Sequence, residues 1–460
     1  MISSINLIEN KKTNFINNKK QIDFRGGAGS GSLKFLDAFI KSQENLSSTR
    51  FIQDTATNWL PKALLSRSKA DFWEFTFLEF LESGLFYYAA PFFGEHLYRN
   101  GLFKAIQPKN LKEDISKNLP QSLDAIKNSK LDKSLKNRLI TTKSGMVVAC
   151  LAIPVLEYAL SFAKNLFTLK VFKVSDFNNI ANLNKDKKED INQQRRVETH
   201  AKKELVKAGI LSAAGIGAGV ALAAAGHKSD KIVKLSECIL EPGEKINKLF
   251  NKAGIKSPKF EKFLKDYLKL DFENSGGKLS LSKGQLAVIC TTGLFGYSNA
   301  AKDRGKLDFY EVWTRVPLVV LYTIFGSSVF DEGFKNILSK KGKFPELVKK
   351  DKNGIINIPS RSELPKIAEK LAKRNNTTVD NELASLIKQK AIITSVPYAF
   401  GLAVMGFTLS AITRIWTKYR YNHQFKDNIA ANSQNSQNFV KMSPAFEGFR
   451  NQVRVAKFSK

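Results

Sequence analysis

Cysteine and histidine are scarce in this sequence: 460 residues hold three of the first and four of the second. Three cysteines cannot staple a disulfide scaffold, and no two of them have zinc-site spacing. His96, His200, His227 and His423 are scattered and offer no close pair to a metal. Cys150 and Cys290 sit inside apolar runs, where a small buried hydrophobe is the default, and Cys238 lies in an amphipathic segment. None has a neighbour that would activate a thiolate. No Gly-x-Ser-x-Gly elbow precedes a matching His and acid. No enzyme is expected, and no cofactor is implied.

A secretory leader is also missing. Such a leader needs an unbroken apolar stretch of roughly 7–15 residues, and none occurs before Arg50. Residues 1–50 are rich in Asn, Lys, Ser and Gly and are expected to form a disordered polar tail. The glycines of Gly26–Ser32 suggest a phosphate loop, but Lys34 is displaced from the last glycine and no strand precedes it.

Negative charge is the third shortage. Asp and Glu number 42 against 73 Lys and Arg, a formal net charge of +31. Nucleic acid is not the expected partner, because the basic residues form no concentrated stripe and no recognised reading module. Anionic membrane lipid is.

What the chain has is long uncharged apolar runs. A helix crossing the hydrocarbon core needs about 20 mostly apolar residues. Ala391–Thr413 is the clearest and ends on Arg414, Trp416, Lys418 and Tyr419, a basic and aromatic cuff suited to the interface. Ser144–Ala163 carries one acid, Glu157, and Pro154 should bend it. Val316–Phe330 and Gly284–Ala301 are shorter or more polar. Ala208–Gly226 is mainly Ala and Gly, and Gly215 and Gly219, one turn apart, should let a second backbone approach closely. The same glycines resemble a dinucleotide loop only superficially, since their surroundings are helical. Phe72–Phe93 is thick with aromatics yet carries Glu74, Glu79 and Glu82 within an arc of about 140°.

The fold expected is therefore all-α: a multi-pass helical membrane protein with five to six membrane helices, in a bacterial-type inner membrane. Its connectors should be Lys-rich amphipathic helices. In Lys259–Phe272, aromatics and leucines share one helical face while Lys259, Lys262, Lys265 and Lys269 hold the other, the pattern of a helix on anionic lipid.

The two ends of the chain also repeat each other. Thr55, Ala63, Arg67, Lys69, Asp71, Phe72, Glu74, Phe93 and Glu95 recur at one ungapped offset as Thr292, Ala300, Arg304, Lys306, Asp308, Phe309, Glu311, Phe330 and Glu332. Leu160-Ser161, Thr168 and Asn179-Ile180-Ala181 recur as Leu409-Ser410, Thr417 and Asn428-Ile429-Ala430. This predicts a first helical repeat over 51–187 with two membrane helices. A basic linker over 188–283 follows, holding the Gly/Ala helix and surface helices. A second repeat spans 284–431, and a polar basic tail 432–460. If all six runs cross, the repeats are parallel; if Gly284–Ala301 lies on the surface, they are inverted. Its counterpart Phe51–Leu65, with Asp54 and Lys62, reads as interfacial.

Acids inside apolar runs are costly and mark functional sites. Glu79, Glu82 and Glu157 are the candidates. Glu311 and Arg315, one turn apart, should form a structural ion pair. The function these features favour is carrier-like movement of an ion or small solute past the three glutamates. The alternative is a structural or lipid-surface scaffold without transport.

Overall fold

The computed structural model describes residues 29–89, 92–102, 105, 118–184, 189–254, 257–275, 278–350, 354 and 356–423. The tail expected over 432–460, the Asn428-Ile429-Ala430 match and residues 1–28 lie outside the described residues. So do the glycines before Gly29.

Helices dominate. In order they are α1 (Gly29–Ser42), α2 (Leu46–Asp54), α3 (Leu60–Leu64), α4 (Lys69–Gly84), α5 (Leu123–Lys127), α6 (Lys133–Cys150), α7 (Ala152–Phe172), α8 (Phe177–Ile180) and α9 (Ile191–Ala225). Then come α10 (Asp230–Leu240), α11 (Pro242–Lys252), α12 (Pro258–Tyr267), α13 (Lys283–Arg304), α14 (Lys306–Leu321), α15 (Ser327–Lys340), α16 (Leu364–Asn375) and α17 (Val379–Gly401). Among the described residues, strands occur only as two antiparallel hairpins, Glu273–Ser275 with Lys278–Ser280 and Lys349–Lys350 with Ile356–Asn357.

Among the described residues four helical stretches are long and apolar enough to cross a membrane: Lys133–Phe172, Ile191–Lys228, Lys306–Lys340 and Val379–His423. This corrects the count of five to six. The two runs that drop out have a shared reason. Gly284–Ala301 lies in α13 and Phe72–Phe93 begins in α4, and both helices face the interior with polar groups that dilute their apolarity. The 40 residues of Lys133–Phe172 extend about 60 Å at 1.5 Å per residue, twice the hydrocarbon thickness.

The two largest apolar cores pack between these helices and their neighbours. One gathers Leu119, from the turn before α5, with Leu123, Ile126, Leu139, Met146 and Leu240 from α5, α6 and α10. The other gathers Leu33, Ile40, Leu338, Leu364, Leu383 and Ile387 from α1, α15, α16 and α17. Here α1 overturns part of the expected disordered tail. Leu33, Leu36 and Ile40, at helical spacing, give residues 29–42 an apolar face that docks on α17.

Local chemistry sets the element boundaries. Asn45 caps α2, Ser68 caps α4, and Ser282 with Gln285 forms a reciprocal capping box on α13. The long helix α6–α7 breaks at Leu151, just before Pro154, whose missing N–H cannot continue the ladder. Among the described residues five π-helical segments occur, Thr55–Trp59, Leu85–Ala89, Phe93–Leu102, Tyr322–Gly326 and Leu402–Thr408. Such π-helical turns are frequent at functional sites.

One regularity links the two ends of the chain. α4 and α14 are each 16 residues long, and each passes directly into a five-residue π-helical turn. Every one of these boundaries is related by the offset that carries Arg67 onto Arg304. Asn45 maps onto Ser282, the cap of α13, by the same shift.

The glycine stripe of α9 lies against α6. A Cβ on Gly219 would sit 2.4 Å from the Gly145 carbonyl, and a Cβ on Gly145 2.4 Å from the Gly219 carbonyl. Gly215 is looser, 3.7 Å from the Val148 carbonyl. The opposite side of α9 exposes Val206, Ile210, Leu211 and Ile216. The apolar stretch of Lys306–Lys340 has none of its residues buried. These are surfaces that lipid, not water, would cover.

Candidate functional site

α4 and α14 flank one cavity and run in the same direction. Their N-terminal ends meet through Arg67–Glu311 and Arg304–Glu74 contacts, and their C-terminal ends supply Tyr87 and Thr323 to one cavity. α2–α3 and α7 run antiparallel to α4: Lys62 meets Glu79, and Thr168 meets Glu74. α13 and the C-terminal helix run antiparallel to α14 in the matching way. Gly406 approaches the Thr57 carbonyl and Pro61, where Pro61 cannot donate to residue 57.

The space between these helices has two layers. The first is an ion-pair clasp. Arg67 binds Glu311 with both terminal nitrogens, at 2.9 and 3.0 Å, and its Nε reaches Asp71 at 3.2 Å. Arg304 repeats this with the halves exchanged: Nη1 to Glu74 at 2.6 Å and Nε to Asp308 at 2.7 Å. Thr168 donates to Glu74 and Thr417 to Glu311, each at 2.7 Å. Phe177 lies under both guanidiniums, 5.2 and 6.0 Å from the ring centre. Lys164 adds to Glu74 at 3.1 Å and Arg414 to Asp71 at 3.8 Å. The clasp contains four acids and four bases. It is electrically balanced.

The second layer is not. A cavity of about 120 Å³ reaches both layers, touching Asp71, Glu74, Lys164, Arg304, Asp308 and Glu311 of the clasp, and its second layer holds Glu79, Glu82 and Glu157 together with Asp54. The three glutamates singled out in the sequence thus meet in one place. Lys62 Nζ lies 3.1 Å from Glu79, Tyr297 donates to Glu82 at 2.6 Å, and Ser83 donates to Asp54 at 3.1 Å. Asn58 donates to the other Asp54 oxygen. Glu157 enters through a gap in α13, where a Cβ on Gly293 would be 2.7 Å from its Oε1. Four acids here face two bases, Lys62 and Arg315. Glu157 Oε2 and the Nε and Nη2 of Arg315 are buried with no hydrogen-bond partner.

Two expectations need correction. Glu311 does not pair with Arg315; it is taken by Arg67 and Thr417, leaving Arg315 turned into the acid cavity. The bidentate fork of Arg67 outcompetes a single intrahelical contact. Phe51–Leu65 is not interfacial either. Asp54, Asn58 and Lys62 recur every fourth residue, so one face of α2–α3 delivers all three inward. That spacing was the available signal for them; Tyr297 carried none.

A second, larger cavity of about 340 Å³ adjoins the first and shares Asp54, Tyr87 and Thr323 with it. Thr49, Thr57, Ser327, Ser328, Tyr322 and Tyr398 line it with hydroxyls. It forms a vestibule at the end opposite the clasp.

The lysines of the surface helix fare unequally. Lys262 and Lys265 are exposed, while Lys269 leans 3.7 Å from Glu241; the Lys259 side chain lies outside the described residues. Phe263 and Tyr267 stack on Phe325 of the π-helical turn after α14, at 6.1 and 4.7 Å. Among the described residues one acidic group could hold a metal, Asp124, Glu241 and Glu244, far from this cavity.

Comparison with protein-family models, curated proteins and solved structures finds no match to this chain.

Proposed function

We propose that the chain is a duplicated integral membrane protein whose two halves lie parallel, and that it carries a small cation through the acid-rich cavity between them. The single observation that carries this reading is the charge inequality between the layers. The clasp matches acid to base one for one. The second layer, lining the same cavity, has two acids more than bases, in a setting where unpaired charge is expensive. Positive charge must enter with the solute or as protons to balance it. A purely structural network has no reason to be balanced in one layer and short of cations in the next.

Architecture supports the same reading. The clasp seals one end, the vestibule opens the other, and the site lies between repeats, as in carriers that work by rocking one half against the other. The duplication rests on matched helix boundaries, matched π-helical turns and the exchanged Arg–Glu pairs. The aromatic contact of α12 with Phe325 and its exposed Lys262 and Lys265 suit a helix lying on anionic lipid beside the bundle.

The test is cation-driven flux in vesicles holding the purified chain. Glu79→Gln with Glu82→Gln should abolish flux while insertion is retained, with a lowered melting temperature because Lys62 is left buried without its partner. Unchanged flux in that double variant refutes the carrier.

A further inference from the structure

We propose that the cation this cavity takes is a basic amino acid, its carboxylate on Arg315 and its two ammonium groups on Glu79, Glu82 and Glu157; the inference rests on the carrier reading above. Two buried groups of opposite sign line the cavity without a partner. Arg315, nine-tenths buried, leaves Nε and Nη2 without an acceptor, and Glu157, almost wholly buried, leaves Oε2 without a donor. Nε and Nη2 share one edge of the guanidinium, an edge that takes the two oxygens of a carboxylate side by side. The acids supply the complement. Lys62 holds one oxygen of Glu79 and Tyr297 one of Glu82, so each keeps its other oxygen, and Glu157 keeps both. These oxygens can accept from ammonium groups, which carry three donors each.

The heights of the groups along their helices set the length of the solute. The Arg67–Glu311 and Arg304–Glu74 contacts hold Glu311 and Glu74 at one level. Arg315 lies about 6 Å beyond Glu311, and Glu79 and Glu82 about 7.5 and 12 Å beyond Glu74. Glu157 lies about 10 Å from Lys164, which also meets Glu74. Arg315 and Glu79 thus form one tier, a base with an acid, suited to a carboxylate and the ammonium on the adjoining carbon. Glu82 and Glu157 form a second tier about 5 Å further on, suited to a second ammonium. Four bonds of an extended chain span about 5 Å, and Leu78, Val316 and Val319 offer apolar wall to its methylenes. A cavity of about 120 Å³, the volume of about four waters, limits the solute to a short chain.

Simpler solutes leave one side unmatched. A bare metal ion needs oxygens that converge on one point. Among the described residues the trio of acids whose oxygens come within 4.8 Å of one another is Asp124, Glu241 and Glu244, and no three acids of the cavity do so. A diamine leaves the Arg315 edge without an acceptor, which is costly for a buried charged donor. A neutral amino acid leaves the excess of two acids as it stands. One carboxylate with two ammonium groups satisfies Arg315 and lowers that excess to one.

The experiment is calorimetric titration of the full chain in lipid nanodiscs with L-ornithine, glycine and 1,4-diaminobutane. Ornithine should bind, and glycine and diaminobutane, each lacking one arm, should bind about tenfold or more weaker. Arg315→Gln should bring ornithine down to the level of diaminobutane without weakening diaminobutane, while Glu157→Gln weakens both. A wild-type chain that does not bind ornithine, or that binds diaminobutane equally well, overturns the inference. So does an Arg315→Gln chain that still prefers ornithine. If ornithine fails to bind while vesicles still pass another cation, the carrier reading stands and the amino acid falls. If ornithine binds in this pattern but vesicles holding the chain do not take it up, the binding site stands and the carrier falls.

Discussion

Arg67 grips Glu311 with both arms of its guanidinium, 244 residues away in sequence, while Arg304 grips Glu74 from the opposite half. The two contacts are one interaction made twice with the halves exchanged. They fix the register of α4 against α14, and so the position of the acids one to two turns further along.

The clasp should behave as coupled pairs. Removing one partner of a buried pair costs about 3–5 kcal/mol, because the other charge stays buried alone. Arg304→Met and Glu74→Gln should each lower stability by this order. The double variant should lose much less than the sum, with a coupling of about 0.5–3 kcal/mol. Thermal unfolding in detergent of the four proteins of the cycle measures it. Additive losses would mean that the two side chains do not interact.

The packing of α6 on α9 predicts opposite outcomes for two neighbouring glycines. Gly219→Ala drives a methyl to 2.4 Å from a backbone carbonyl that cannot swing aside, so it should cost about 1–3 kcal/mol. Gly217→Ala meets nothing within 4 Å and should stabilise by about 1 kcal/mol through helix propensity. Melting temperatures that move the same way for both would contradict the close approach.

A second buried pair lies outside the cavity. Lys143 and Asp271 meet at 2.8 Å with almost no exposure, and Lys143 also donates to the Gln121 carbonyl. Burial holds the Asp271 carboxyl above its usual range, with the Lys143 ammonium pulling the other way. Lys143→Met removes that pull and should cost about 3–5 kcal/mol at neutral pH. The sign of its pH dependence follows. A carboxyl whose folded pKa stands above its unfolded one binds a proton more tightly when folded. The variant should therefore recover stability as pH falls and lose it as pH rises through the folded pKa. Unfolding curves at several pH values check this.

Much of this was legible in local pattern. The acids of α4 stand out because charge inside an aromatic run is rare, and they do line the cavity. Glu157 stands out for the same reason. What pattern could not reveal was who meets whom. Glu311 has Arg315 one turn away, and nothing nearby in sequence announces that Arg67 is the better partner. Asp54 and Lys62 looked like surface charges, because a helix with two charges reads as interfacial unless its neighbours are known. Gly219 marked a close approach, but its counterpart Gly145 sits alone between Ser144 and Met146 with no stripe to betray it. The span count failed for a related reason: helices that turn polar groups inward are less apolar along their length than those with apolar residues all round.

The most direct measurement is sided labelling of single cysteines in sealed vesicles, with the three native cysteines replaced. Lys69 and Lys306 occupy matching exposed positions at the starts of α4 and α14, and Thr323 lies at the vestibule end, about 25 Å along α14. The account predicts that Lys69→Cys and Lys306→Cys react with a membrane-impermeant reagent from the same side, and Thr323→Cys from the other. Labelling of Lys69→Cys and Lys306→Cys from opposite sides, or of all three from one side, would contradict it.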